Sequence, residues 1–108
     1  MKFDEFQKME QEYQGNWPRL IEAVKENKLT EVWEIANRMD GLLDQMLEAL
    51  PDLDDVTYNG QRWDDRKTLI FKMRMEAELK QRKINIGRII ARCGYELLNS
   101  GQYLEMGK

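Results

Sequence analysis

Histidine is absent from this sequence and cysteine occurs once, at Cys93. Without histidine the chain has neither the commonest general base nor the commonest metal ligand at neutral pH. One cysteine cannot close an internal disulfide, and a zinc site within one chain is left without ligands. Prolines are two, Pro18 and Pro51, and the glycines stand singly, so no glycine-rich loop cradles a phosphate. Wholly apolar runs extend for only a few residues, too short to cross a membrane. The N-terminal Met1–Lys2–Phe3–Asp4–Glu5–Phe6 is acidic and amphipathic, unlike the unbroken apolar core of a signal peptide. These features lead us to expect a cytoplasmic protein without cofactor or metal. Cys93 itself falls on an apolar helix face, which makes it a small core residue.

What is present is charge and helical periodicity. Charged residues make up 34% and the hydrophobic set 42% of 108 residues, a composition that supports one globular domain rather than a disordered chain. The net charge of −3 conceals an uneven division. Residues 1–58 carry six Lys/Arg and fourteen Asp/Glu, a balance of −8, whereas residues 59–108 carry eleven and six, a balance of +5. Either the acidic half packs beside the basic one, or each offers a charged face to a partner.

Phe3, Phe6, Met9 and Tyr13 recur at helical spacing, and Gly15 is expected to end that first helix. Asn16–Trp17–Pro18 then reads as the start of a second, buried through Trp17, Leu20, Ile21 and Val24. Thr30 is expected to cap a third helix, Glu31–Leu50, whose apolar stripe runs from Val32 to Leu50 and whose other side is acidic. Pro51 stops it. In Pro51–Trp63 the Asn59–Gly60 pair, flanked by Val56–Thr57–Tyr58 and Gln61–Arg62–Trp63, signals either a β-hairpin or a plain turn over residues 56–63. Asp64 or Asp65 caps a long last helix, and Asn99–Ser100–Gly101 ends it, with Tyr103, Leu104 and Met106 in a tail that could dock.

The stretch Asp65–Asn99 organises the rest. It has no proline, and a helical wheel gives it two apolar faces on opposite sides. Met75, Leu79, Ile86, Ile89, Ile90, Cys93 and Leu97 form the first. Leu69, Ile70, Met73, Ala77, Ile84, Ala91, Tyr95 and Leu98 form the second, with Ile70, Ala77, Ile84, Ala91 and Leu98 spaced by seven. A ribbon of Arg66, Lys67, Arg74, Arg88 and Arg92 lies between. A helix with two stripes needs cover from two sides. Gly87 and Gly94 call either for a close neighbour or for a kink near Gly87 that divides the stretch.

These readings give an all-α single domain of about four helices: an acidic part over residues 1–50, a connecting loop 51–63, a long basic helix 64–100 and a tail 101–108. No residue set makes a catalytic signature, and Asp52–Leu53–Asp54–Asp55 lacks the glycine and terminal glutamate of a calcium loop. The chain is therefore expected not to be an enzyme. We expect a protein-binding regulator, an inhibitor or adaptor, that forms a homodimer. The self-association or partner helix is assigned to Met75, Leu79, Ile86, Ile90, Arg88 and Arg92. Glu34, Asp40, Asp44 and Glu48 are assigned to an acidic face for a basic partner protein, and Trp33 and Trp63 are named as aromatic anchors. The alternative is nucleic-acid binding by residues 62–92, which hold ten Lys/Arg against four Asp/Glu. No membrane partner is expected.

Overall fold

Gly15 and Pro18 do not divide the first acidic segment: helix α1 runs unbroken over Phe3–Lys25. Pro18 costs it one backbone bond and leaves the carbonyl of exposed Gln14 to water. Register explains the continuity. Phe6, Tyr13 and Leu20 are buried at intervals of seven, with Met9 half-buried and Asn16 buried between them and Ala23 buried beyond, so one uninterrupted stripe faces one neighbour. Among the described residues there are thus three α-helices where four were expected. The same register turns Ile21 and Val24, expected inside, out into solvent. Asn16 is the one polar side chain in the stripe; its amide donates to the Glu12 carbonyl at 2.9 Å and its oxygen accepts from Arg19 at 3.3 Å.

Asn27, with φ of 55°, turns the chain out of α1. Its N–H donates to the Val24 carbonyl and that of Lys28 to the Ala23 carbonyl, the paired bonds of a left-handed helix ending. Helix α2 then spans Leu29–Ala49. Thr30 lies within its first turn instead of capping it, and the capping residue Lys28 makes no side-chain bond there. Leu29, Ala36, Leu43 and Leu50 repeat every seven residues, with Val32, Met39 and Met46 between them, and all seven are buried. Pro51 turns the end of α2 into a short 3-10 segment, Leu50–Asp52.

The connection to the last helix is a small built structure. Leu53 and Val56 are buried beneath a hairpin of β1, Thr57–Tyr58, and β2, Gln61–Arg62, paired antiparallel with Thr57 opposite Arg62. Asn59 and Gly60 both have positive φ, 51° and 78°, as the tight turn that suits twisted strands requires. Trp63 packs between Tyr58, whose ring is tilted to it, and Phe71, which meets it edge-on, with ring centroids 5.9 and 6.0 Å away, and so fixes the hairpin to the helices. The Asp55 carboxylate accepts from the Phe3 N–H at 2.9 Å. An acid from the loop thereby caps the first turn of α1 and favours its dipole.

Helix α3 runs over Asp65–Ser100 without a break, so no division occurs at Gly87. Asp64 caps it by accepting from the Lys67 N–H at 2.8 Å, and Gly101, at φ 83°, ends it. The structure, a computed structural model, describes residues 1–101; Tyr103, Leu104 and Met106 lie outside the described residues. α1 and α3 each lie along α2, up-down-up, in a bundle measuring 53 × 23 × 20 Å. The two outer helices meet through a few side chains, chiefly Phe3 and Phe6 with Phe71, and Glu10 with Arg82.

The two glycines of α3 have different reasons. A Cβ on Gly94 would lie 3.0 Å from Cζ3 of Trp33, so the missing side chain lets that ring lie against the helix. Gly87 meets nothing within 4 Å. Gly87→Ala should therefore stabilise the fold by about 1 kcal/mol through helix propensity alone. Gly94→Ala should gain less, because its methyl must displace Trp33. Urea denaturation of the two variants side by side checks the difference.

Candidate protein-binding face

The two apolar faces of α3 have opposite fates. Leu79, Ile86, Cys93 and Leu97 are buried against α1 and α2, and Met75, Ile89 and Ile90 are half-buried beside them. Of the partner helix assigned from sequence, Leu79 and Ile86 are thus fully enclosed core and Met75 and Ile90 flank it. Only Arg88 and Arg92 of that set stand in solvent. The physical reason is that this face is the one continuous with the stripes of α1 and α2, and the chain spends it on its own core.

The second face is left in water. Leu69 is 58% exposed, Met73 63%, Ile84 51%, Tyr95 69% and Leu98 64%, with Ile70, Ala77 and Ala91 exposed among them. Ile70, Ala77, Ile84, Ala91 and Leu98 keep their spacing of seven along nearly the whole helix, as a helix-pairing seam does. Beside this seam, three residues before or four after its members, stands a second row: Lys67, Arg74, Gln81, Arg88 and Tyr95. At the N-terminal end the face broadens into two apolar grooves. Leu47, Leu50 and Pro51 of the α2 end line one with Leu69 and Met73; Trp63, Phe71 and Met75 line the other with Ile70.

Most of the basic charge in residues 62–92 is committed within the chain. Arg62 donates to the Asp54 carbonyl and Lys72 to that of Pro51. Lys80 pairs with Glu76, Arg92 with Glu96, Arg82 with Glu10 and Glu78, and Lys83 with Asp40 and Asp44. Burial alone would lower the Lys83 ammonium, but its bonds to Asp44 and Asp40 and their charges outweigh it and raise its pKa. Among the described residues, Arg66, Lys67, Arg74 and Arg88 form no ion pair, and all four are exposed on or beside the outward face.

The acidic face divides similarly. Lys83 lies 2.9 Å from Asp40 and 2.6 Å from Asp44, turning both toward α3, while Glu34 and Glu48 remain exposed without an ion pair among the described residues. Trp33 and Trp63, named as anchors, are half-buried and used inside the chain, one against Gly94 and the other between Tyr58 and Phe71. The Cys93 thiol donates to the Leu29 carbonyl at 3.2 Å; burial pushes its pKa up, the nearby Glu96 charge adds to this, and the thiolate is disfavoured. Among the described residues no group of three or more His, Cys, Asp or Glu side chains is placed to hold a metal ion. No described helix is long and apolar enough to cross a membrane.

No protein-family model, curated protein or solved structure matches this chain.

Proposed function

We propose that this chain is a non-enzymatic protein-binding regulator, an inhibitor or adaptor, whose partner lies along the outward face of α3. One observation carries the reading: a seam of large apolar side chains, from Leu69 to Leu98, that its own fold leaves in water. Single exposed apolar residues are ordinary, but a contiguous patch of this kind marks a surface that gains by being covered. At 1.5 Å per residue the seam is about 42 Å long, a length that another helix can follow throughout. Each large side chain enclosed there contributes on the order of 1 kcal/mol, given that it is already partly sheltered. A reducing cytoplasm is the setting that suits a single free thiol.

Nucleic-acid binding by residues 62–92 is the second reading, supported by the four cations that form no ion pair among the described residues. Six of the ten basic residues are held by partners within the chain, and phosphates would leave the apolar seam uncovered. Protein binding uses both the seam and the cations.

The test compares proteins retained from the native cell by the full chain and by Met73→Asp and Ile84→Asp variants, both at exposed positions. Proteins captured by the wild type and lost with both variants support the reading. Capture that is indifferent to both substitutions removes it.

A further inference from the structure

We infer that the occupant of the α3 face is an amphipathic helix of another protein, with acidic residues beside its apolar seam, and not a second copy of this chain. The inference rests on the protein-binding reading and adds the identity of the partner surface.

The row beside the seam carries it. In paired helices the residues flanking the apolar positions face each other across the contact, and their charges select the partner and its direction. Here the flanking row of Lys67, Arg74, Gln81, Arg88 and Tyr95 contains three cations and no acid, and none of the three forms an ion pair among the described residues. Two copies paired antiparallel would set this row against itself, cation facing cation. Two copies paired parallel would set it against the opposite flank, Leu69, Glu76, Lys83 and Ile90, which at its C-terminal end turns into the core at the buried Leu97. Glu76 is the only acid there. It is already bound to Lys80, and the parallel register places it opposite Gln81. Neither arrangement of a second copy answers the three cations. A helix with glutamate or aspartate at its flanking positions answers all three.

The seam also favours a helix over a lipid surface. Its positions alternate between large and small: Ile70, Ala77, Ile84, Ala91, Leu98, with Gly87 beside them. Small residues let a second backbone approach closely, whereas insertion among lipid headgroups gains only from bulk.

The experiment uses the full chain and two fluorescein-labelled synthetic helical peptides of about four heptads. They share a leucine seam and differ only in carrying glutamate or lysine at the flanking positions. Anisotropy titrations should show the glutamate peptide binding about tenfold or more tightly than the lysine peptide, with the difference shrinking as salt rises. The double variant Arg74→Glu/Arg88→Glu should reverse that preference, and Ile84→Asp should abolish binding of both peptides; circular dichroism confirms that the variants stay helical. Equal binding of the two peptides, abolished by Ile84→Asp, overturns the charge inference and leaves the protein-binding reading intact. A failure of both peptides to bind brings down both. Light scattering that reports a dimer, dissociated by Ile84→Asp, assigns the face to a second copy instead. Salt-sensitive binding of duplex DNA or anionic vesicles in place of peptide transfers it to those ligands.

Discussion

Arg82→Ala should lower the stability of the fold by about 3 kcal/mol, a fall in melting temperature on the order of 15 °C for a domain of this size. Arg82 is the main polar tie between the two outer helices. Its side chain is only 13% exposed, and its guanidinium holds the Glu10 carboxylate through two bonds of 2.6 and 3.0 Å. It also reaches Glu78 at 2.9 Å and lies 4.9 Å above the Tyr13 ring. Truncation would leave Glu10 sheltered without its cation and remove a cation–π contact on a buried ring. The loss sits at the lower end of the range for buried pairs because Glu10 keeps some access to water. Pairing Arg82→Ala with Glu10→Gln should cost less than the sum of the two single losses, which a double-mutant cycle in urea measures directly.

The same pair sets the response to acid. Burial raises the Glu10 carboxyl, but the bonds from Arg82 and Gln14, with the Arg82 charge, outweigh it and hold its pKa below the ordinary glutamate value. A carboxyl depressed in the folded state contributes stability above its unfolded pKa and loses it as pH falls through the folded one. Wild-type stability should therefore decline as pH drops through and below the ordinary glutamate range. Glu10→Gln should flatten part of that decline.

Pro18→Ala should act in the opposite direction, stabilising the chain by about 2 kcal/mol. A proline inside a helix is about 3 kcal/mol less favourable than alanine. Its one compensation, a stiffer unfolded chain, is worth up to about 1 kcal/mol. Pro18 is exposed and lies outside the buried stripe of α1, so replacing the ring removes little packing. Chemical denaturation monitored by circular dichroism gives the change. An unchanged midpoint would mean that α1 accommodates the ring without the usual penalty.

The place where α1 defeats a local reading shows what sequence can and cannot carry. Gly15 and Pro18 are both sound signals of a helix end, yet the register of Phe6, Tyr13 and Leu20 against α2 overrides them, because a break would interrupt burial on both sides of it. Where local chemistry and packing agree, the sequence is legible. Asn59–Gly60 makes the hairpin turn, Asp64 caps α3, Gly101 ends it, and the α2 stripe from Val32 to Leu50 is the core of the bundle. The two faces of α3 are equally visible in the sequence, but which one turns inward depends on side chains supplied by α1 and α2. One clue is local: the second face is diluted by Ala77 and Ala91, whereas the first is filled by the large side chains Met75, Leu79, Ile86, Ile89, Ile90 and Leu97. Trp33 shows the same limit, since its seat is the gap left by Gly94, sixty-one positions further along the chain.

The length of α3 also governs how the protein will diffuse. A radius of gyration of 16.8 Å exceeds the roughly 13 Å expected of a sphere-like chain of about 100 residues, and the long axis is more than twice either short one. Such a rod experiences more friction than a globule of equal mass, so a single copy will elute early from a sizing column, in the position of a larger globular protein. Early elution is thus what the monomer itself produces, and copy number must come from scattering or sedimentation equilibrium, where the outline of the particle drops out.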